Sequence, residues 1–193
     1  MFNKLKLKCG VVAAVALVLT ILTQQGTLAY YSTVGKATNV ITSGNISLAI
    51  HETTDTGAEF PKDGVYVVPG SVVSKQVSVE NVCEHPFYLR VKMVYGANSA
   101  SLNPSECFKL NINTEKWLYY DGWYYYCVVL NPGQTTEYVF SQVEIIGSTI
   151  NSNNIGDTLS LTVKAQAVQS ENNPLENDNI FSAQGWPLEM EAN

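Results

Sequence analysis

The run Val73-Ser74-Lys75-Gln76-Val77-Ser78-Val79-Glu80 alternates between apolar and polar side chains. In an extended chain Val73, Val77 and Val79 share one face, while the serines, the glutamine and the glutamate share the other. A period of two is typical of a β-strand with one face on a core and the other in water. The run therefore predicts a half-buried strand.

The same alternation recurs further along the chain. It covers residues 87–93 and 159–167, and turn sequences such as Pro69-Gly70 and Asn131-Pro132-Gly133 separate the apolar runs. Such short strands, with almost no helical periodicity, predict an all-β, antiparallel β-sandwich in which only residues 175–183 could hold a short helix. The remaining strand candidates are residues 46–51, 117–120, 123–130 and 136–146. We expect the inner faces to bury Val77, Val79, Leu89, Val91, Leu161 and Val163.

Residues 117–126 contain the strongest hairpin signal. Asp121-Gly122 stands between two aromatic runs, Trp117-Leu118-Tyr119-Tyr120 and Trp123-Tyr124-Tyr125-Tyr126. The segment resembles one unit of the choline- or glucan-binding repeats of cell-wall proteins, but such repeats build their sites between neighbouring copies. A single copy therefore favours a packing role, with inner rings in the sandwich core and outer rings shielding it.

The first 29 residues have the three parts of a secretory signal peptide. Lys4, Lys6 and Lys8 precede an apolar run over residues 11–22, and its 12 residues fall short of the roughly 20 needed to span a bilayer. Thr27-Leu28-Ala29 then supplies small residues at the −3 and −1 positions of a cleavage site. We expect a secreted chain, either released or associated with the cell surface, with one domain over residues 30–193. An uncleaved membrane anchor is the alternative.

The expected mature chain is acidic. It keeps 8 basic and 17 acidic side chains, because the three lysines of the signal peptide are lost. Nucleic acids and anionic lipids attract clustered lysine and arginine, so both are poor partners for such a chain. The charge balance indicates a soluble domain that meets the membrane only during export.

Three cysteines remain after cleavage: Cys83, Cys107 and Cys127. An exported protein permits disulfides, but an odd number leaves one thiol unpaired. Cys107 and Cys127 flank the aromatic segment and are the favoured pair. Three reduced, buried thiols are the alternative, and neither interpretation is preferred from the sequence.

The sequence lacks recognisable catalytic motifs. His51-Glu52 begins like a zinc-protease motif, but Asp55 stands where the second metal-ligating histidine should be. His85 lies in a predicted loop, and Glu59 and Asp63 share another loop with Asp55 but lack the spacing of a calcium site. The sequence therefore predicts no catalytic residues, no metal site and no cofactor.

Two longer blocks carry a family pattern. The first reads AYYS at residues 29–32 and ATNVITSGNISL at 37–48; the second reads VVPGSVVSKQVSVEN at 67–81, followed by PFYLRV at 86–91. Together they resemble the TasA/camelysin family of proteins exported by Gram-positive bacteria. The three cysteines and the aromatic hairpin depart from the family pattern, so the chain is most similar to the small clostridial-type members.

The resemblance implies a jelly-roll sandwich, exported through the signal peptidase SipW, that polymerises into fibres of a biofilm matrix. It also implies donor-strand exchange, in which the N-terminal strand of one copy completes a sheet of the next. In this chain the strand would be residues 30–41, anchored by Tyr31, Val34, Ala37, Val40 and Ile41. Its partners would be the peptidase and copies of itself or of related fibre subunits. The alternative function is a monomeric cell-surface adhesin or wall-binding module that uses the hairpin 117–126.

We predict that signal peptidase cleaves between Ala29 and Tyr30, because the small residues that it requires lie there. Mass spectrometry of the secreted protein should give a chain that begins at Tyr30. An intact N-terminus that persists in the membrane fraction would contradict the prediction.

Overall fold

The computed structural model describes residues 31–34, 38–39, 46–150, 154 and 156–187. Within these ranges the regular structure is almost entirely β. The strands are β1 (Tyr31–Val34), β2 (Thr38–Asn39), β3 (Leu48–Thr53), β4 (Tyr66–Val67), β5 (Val72–Asn81), β6 (Phe87–Ala97), β7 (Phe108–Leu110), β8 (Trp117–Tyr120), β9 (Trp123–Tyr126), β10 (Phe140–Ile145) and β11 (Thr158–Gln169).

The strands form two sheets that pack face to face. One sheet has seven strands in the order β4-β1-β11-β6-β9-β8, with β2 also paired to β11. The other has four strands in the order β3-β5-β10-β7. All pairs are antiparallel except those of β1 and β2 with β11, which are parallel. The prediction of an all-β sandwich is confirmed.

One core fills the space between the sheets. All six residues predicted for the inner faces are buried in it: Val77, Val79, Leu89, Val91, Leu161 and Val163. The alternation that predicted these strands therefore also assigned their faces correctly. The aromatic side chains of Phe87, Phe140 and Trp117 are equally enclosed.

Two predicted strands are shorter than their sequence pattern. The run 123–130 ends as a strand at Tyr126, and the run 136–146 begins as one at Phe140. The second difference has a clear cause. Between the pairs Glu80↔Thr135 and Val77↔Phe140 this segment has four residues where β5 has two, so the ladder is interrupted before β10. Within that interval the N–H groups of Thr136 and Val139 still donate to carbonyls of β5, and the two residues between them are extra.

The stretch 175–183 forms two 3₁₀ turns, Glu176–Asp178 and Ile180–Ser182. Asn177 and Asp178 have positive φ angles, which a continuing right-handed helix does not accommodate. The turns press Ile180 and Ala183 onto the outer face of the seven-stranded sheet. There they join an outer cluster that also contains Tyr88, Trp123, Tyr125 and Val168.

The structure does not form the favoured disulfide between Cys107 and Cys127. All three cysteines of the described chain are free. Cys107 is buried just before β7 of the four-stranded sheet, and its Sγ donates to the Asn103 carbonyl at 3.3 Å. Cys127 is exposed and follows β9 of the other sheet. The two thiols thus belong to different layers of the sandwich.

We predict that Leu89→Ala lowers the free energy of unfolding by about 2–5 kcal/mol, because the fully buried side chain leaves a cavity between the sheets. Thr162→Ala, on the half-buried outer face of β11, should cost less than about 1 kcal/mol. Urea unfolding of both variants measures the difference. Equal losses of stability would mean that the strand faces are assigned wrongly.

Candidate functional site

The N-terminal strand lies at the edge of β11. β1 pairs with β11 in parallel through Ser32↔Thr158, Thr33↔Leu159 and Val34↔Ser160, and β2 continues through Thr38↔Lys164 and Ala165↔Asn39. On its other side, β1 pairs antiparallel with the two-residue strand β4. Tyr31 and Val34 of the predicted assembly strand therefore belong to β1. The other proposed anchors, Ala37, Val40 and Ile41, and the cleavage positions Ala29 and Tyr30 lie outside the described residues.

The two long sides of β11 are bonded very differently. On one side β6 pairs with it without interruption from Leu159↔Ala97 to Gln169↔Phe87. On the other side only the short strands β1 and β2 supply partners in the described chain. Because β2 also contacts β3, the edge strand of the four-stranded sheet, the N-terminal segment lies where the two sheets meet. We call this place the seam.

A buried ion pair lies between the sheets near the seam. Lys75 is only 3% exposed, and its Nζ is 3.0 Å from Oε1 of Glu52. The ammonium group also lies 4.8 Å from the centre of the Phe60 ring, and Leu161 of β11 lines the small cavity beside it. Burial lowers the pKa of Lys75, while the charge of Glu52 acts in the opposite direction. Among the described residues no donor makes a well-aligned hydrogen bond to Oε1 of Glu52, so its contact with Lys75 is an ion pair.

The sequence contains a signal for this ion pair, but a search for alternating apolar residues alone does not detect it. Lys75 has the same phase as Val73, Val77 and Val79, so a strand that buries the valines also buries the lysine. Glu52 stands opposite Val77 in the register of β3 with β5, and thus shares its face. A charged residue in phase with the core is therefore best interpreted together with a partner of opposite charge on the neighbouring strand.

Most of the aromatic hairpin is used for packing. Trp117 and Tyr126 lie in the main core with their ring centres 4.9 Å apart. Trp123 and Tyr125 belong to the outer cluster, under the C-terminal segment. Of the rings on this hairpin, only Tyr119 and Tyr120 are largely exposed, and Tyr120 stacks on Phe181.

Glu137 joins the hairpin to the segment before β10. Its carboxylate Oε2 accepts a hydrogen bond from Tyr126, its Oε1 lies 3.5 Å from Lys116 Nζ, and its main-chain carbonyl accepts from Trp117 Nε1 at 3.2 Å. Burial, together with the adjacent Glu137 carboxylate, raises the pKa of Tyr126 to about 12. The hydrogen bond from Tyr126 lowers the pKa of Glu137 in turn. The tyrosine therefore stays protonated and donates at neutral pH.

The histidines and carboxylates considered as metal ligands in the sequence do not come together in the structure. His51 Nε2 lies 2.8 Å from Glu80 Oε2, and His85 Nδ1 lies 3.5 Å from Glu171 Oε2. Glu59 pairs with Lys62 in the loop considered for calcium. Within the described ranges, no three His, Cys, Asp or Glu side chains gather as metal ligands.

No family model, curated protein or solved structure matches the chain. Among the described residues, no helix has the length and apolar character required to cross a bilayer.

We predict that Lys75→Ala lowers the free energy of unfolding by about 3–5 kcal/mol, because it leaves the carboxylate of Glu52 buried without its cation. The double variant Lys75→Met with Glu52→Leu should be neutral or more stable than the wild type. Chemical denaturation of the wild type, of Lys75→Ala and of the double variant measures their free energies of unfolding.

The matched control is Lys62→Ala, which breaks the exposed pair with Glu59 and should cost no more than about 1 kcal/mol. A Lys75→Ala variant as stable as Lys62→Ala would contradict the burial of this pair.

Proposed function

We propose that the chain is a secreted structural subunit of an extracellular fibre, assembled by exchange of the N-terminal strand, residues 30–41, between copies. The observation that carries the proposal is the pairing of β1 and β2 along the otherwise open side of β11. A strand at the end of a chain, held at an edge by short ladders, can be replaced by the same strand of another copy. The resemblance to the TasA/camelysin family supports the same function.

The physical basis is the equivalence of the two pairings. The hydrogen bonds between β1 and β11 are the same whether the two strands belong to one copy or to two, so exchange sacrifices none of them. Exchange joins two different surfaces, the N-terminal strand of one subunit and the β11 edge of the next. Such a head-to-tail contact generates an open filament when it does not close into a ring.

The ladders that hold the N-terminal strand are short, and this favours strand exchange. β1 has four residues and β2 has two, and β4, which covers the far side of β1, also has two. Short, peripheral ladders open at lower free energy than the continuous ladder between β6 and β11. The strand can therefore leave β11 while the rest of the sandwich stays folded.

The alternative, a monomeric adhesin that binds through the aromatic hairpin, has less support from the packing. Trp117, Trp123, Tyr125 and Tyr126 are buried, so the hairpin offers a ligand few free rings. Gel filtration of the mature protein separates the two functions, since a fibre subunit elutes as a concentration-dependent series of assemblies and the adhesin as one monomer.

We predict that deleting residues 30–36 from the mature chain abolishes fibres but leaves a folded β-rich domain with a lower melting temperature. The cause is the loss of β1 from the β11 edge, while the core and the ladder of β6 with β11 remain. Electron microscopy measures fibre yield, and circular dichroism measures folding and melting.

A synthetic peptide of residues 30–41 should bind the deletion variant, restore its melting temperature and leave it monomeric. The same peptide should shorten fibres of the intact chain by capping their ends. A peptide of scrambled sequence is the control. Normal fibre yield from the deletion variant would exclude strand exchange as the assembly mechanism.

A further inference from the structure

An open groove of about 630 Å³ lies beside the start of β10. It is separate from the seam, and its walls come from β5, from the loop before the hairpin and from the segment that leads into β10. The residues that matter for its chemistry are Ser78, Asn113, Thr135, Glu137 and Tyr138.

The main chain holds one wall of the groove as an arch. The N–H of Thr136 donates to the Val79 carbonyl at 2.9 Å, and the N–H of Val139 donates to the Val77 carbonyl at 2.7 Å. The two residues between these anchors, Glu137 and Tyr138, project from β5 instead of continuing the ladder. The arch is therefore fixed at both ends before any ligand arrives.

A side-chain clamp fixes the neighbouring wall. Oδ1 of Asn111 accepts hydrogen bonds from the N–H groups of Ser141 and Gln142 at 2.9 and 2.8 Å. Its Nδ2 donates to the Ser141 hydroxyl at 2.9 Å. This amide ties the start of β10 to the residue that follows β7, so the groove is preformed rather than a loose loop surface.

Several polar groups in the groove have no partner within the described protein. The hydroxyls of Ser78 and Thr135 and the amide of Asn113 make no side-chain hydrogen bond there. Tyr138 is 44% exposed and supplies an aromatic wall. The one carboxylate, Glu137, already has Tyr126 and Lys116 as partners. The groove thus presents mainly neutral donors and acceptors around an exposed ring.

We propose that this groove binds a segment of neutral polysaccharide. Sugar hydroxyls both donate and accept hydrogen bonds, as the free hydroxyls and the amide of the groove do. The apolar C–H face of a sugar ring packs against an aromatic ring such as that of Tyr138. An anionic ligand would meet Glu137 on a chain whose net charge is −6, and a purely apolar ligand would leave the polar groups unpaired.

The site goes beyond fibre formation and does not depend on it. A monomer with the groove binds the polymer as well as a fibre does, whereas a fibre presents many grooves in a row and gains avidity. A variant without the N-terminal strand should therefore keep the binding and lose only the avidity.

Native gel electrophoresis of the mature protein through dextran, laminarin or galactomannan tests the proposal, with polygalacturonate as the acidic comparison. We expect at least one neutral polymer to retard migration. Tyr138→Ala and Asn113→Ala should each weaken the retardation constant by about tenfold, as expected for the loss of one stacked ring or one amide partner. The control Tyr119→Ala removes a more exposed ring, on the hairpin, and should bind as the wild type does.

Three results would overturn the proposal. The first is that none of the neutral polymers retards the wild type. The second is that retardation occurs only in polygalacturonate. The third is that Tyr119→Ala weakens binding as much as both groove variants, which would assign the glycan to the hairpin. A melting curve shows whether each groove variant is still folded. If one of the two is not, the other still tests the proposal.

Discussion

The hydrogen bonding of β11 is the constraint on which the rest of the molecule depends. This strand buries Leu159, Leu161 and Val163 in the core, so its main chain lies in a place where unpaired N–H and C=O groups are costly. β6 satisfies one side along its length, but the other side relies on two short strands from the N-terminus. An open edge of this kind must be covered, and a second copy of the chain can cover it as well as the first.

The outer face of the seven-stranded sheet is held in a different way. Arg90 lies between the rings of Trp123 and Trp186, with its guanidinium carbon 4.3 and 4.5 Å from their centres. It also donates to Tyr125 of β9 and Gln166 of β11, and these charge-assisted hydrogen bonds fix the guanidinium group on the sheet. The C-terminal segment is held by the contact of Trp186 with that group. The seven-stranded sheet therefore combines an outer face covered by aromatic side chains with an edge covered by the short strands β1 and β2. That division suits a subunit that keeps its fold while it exchanges one strand.

The sequence predicts those parts of the fold that depend on local chemistry. The bounds of β8 are correct because Asp121 and Gly122, both with positive φ, suit the tight turn that ends the strand. The predicted buried faces of the strands are correct because burial and the alternation of apolar residues both repeat every two residues. The parallel pairing of β1 with β11 has no local signal, since it joins residues from opposite ends of the chain. The groove beside β10 is equally hidden, because its arch consists of two extra residues between the pairs Glu80↔Thr135 and Val77↔Phe140. The burial of Lys75 can be predicted from the sequence, because Lys75 alternates in phase with the buried valines of β5. Its partner cannot, because only the register of β5 with β3 identifies Glu52.

Crosslinking between two differently marked chains tests strand exchange most directly. Ser32 and Thr158 are Cα partners in the ladder of β1 with β11, a separation that suits a disulfide. One chain carries Ser32→Cys and the other Thr158→Cys, both with Cys83→Ser and Cys127→Ser, and the two are mixed before assembly and then oxidised. Strand exchange predicts disulfide-linked dimers of the two chains in fibres, and none in either chain alone. Fibres without such dimers, formed while a chain carrying both cysteines closes its own disulfide, would contradict the account.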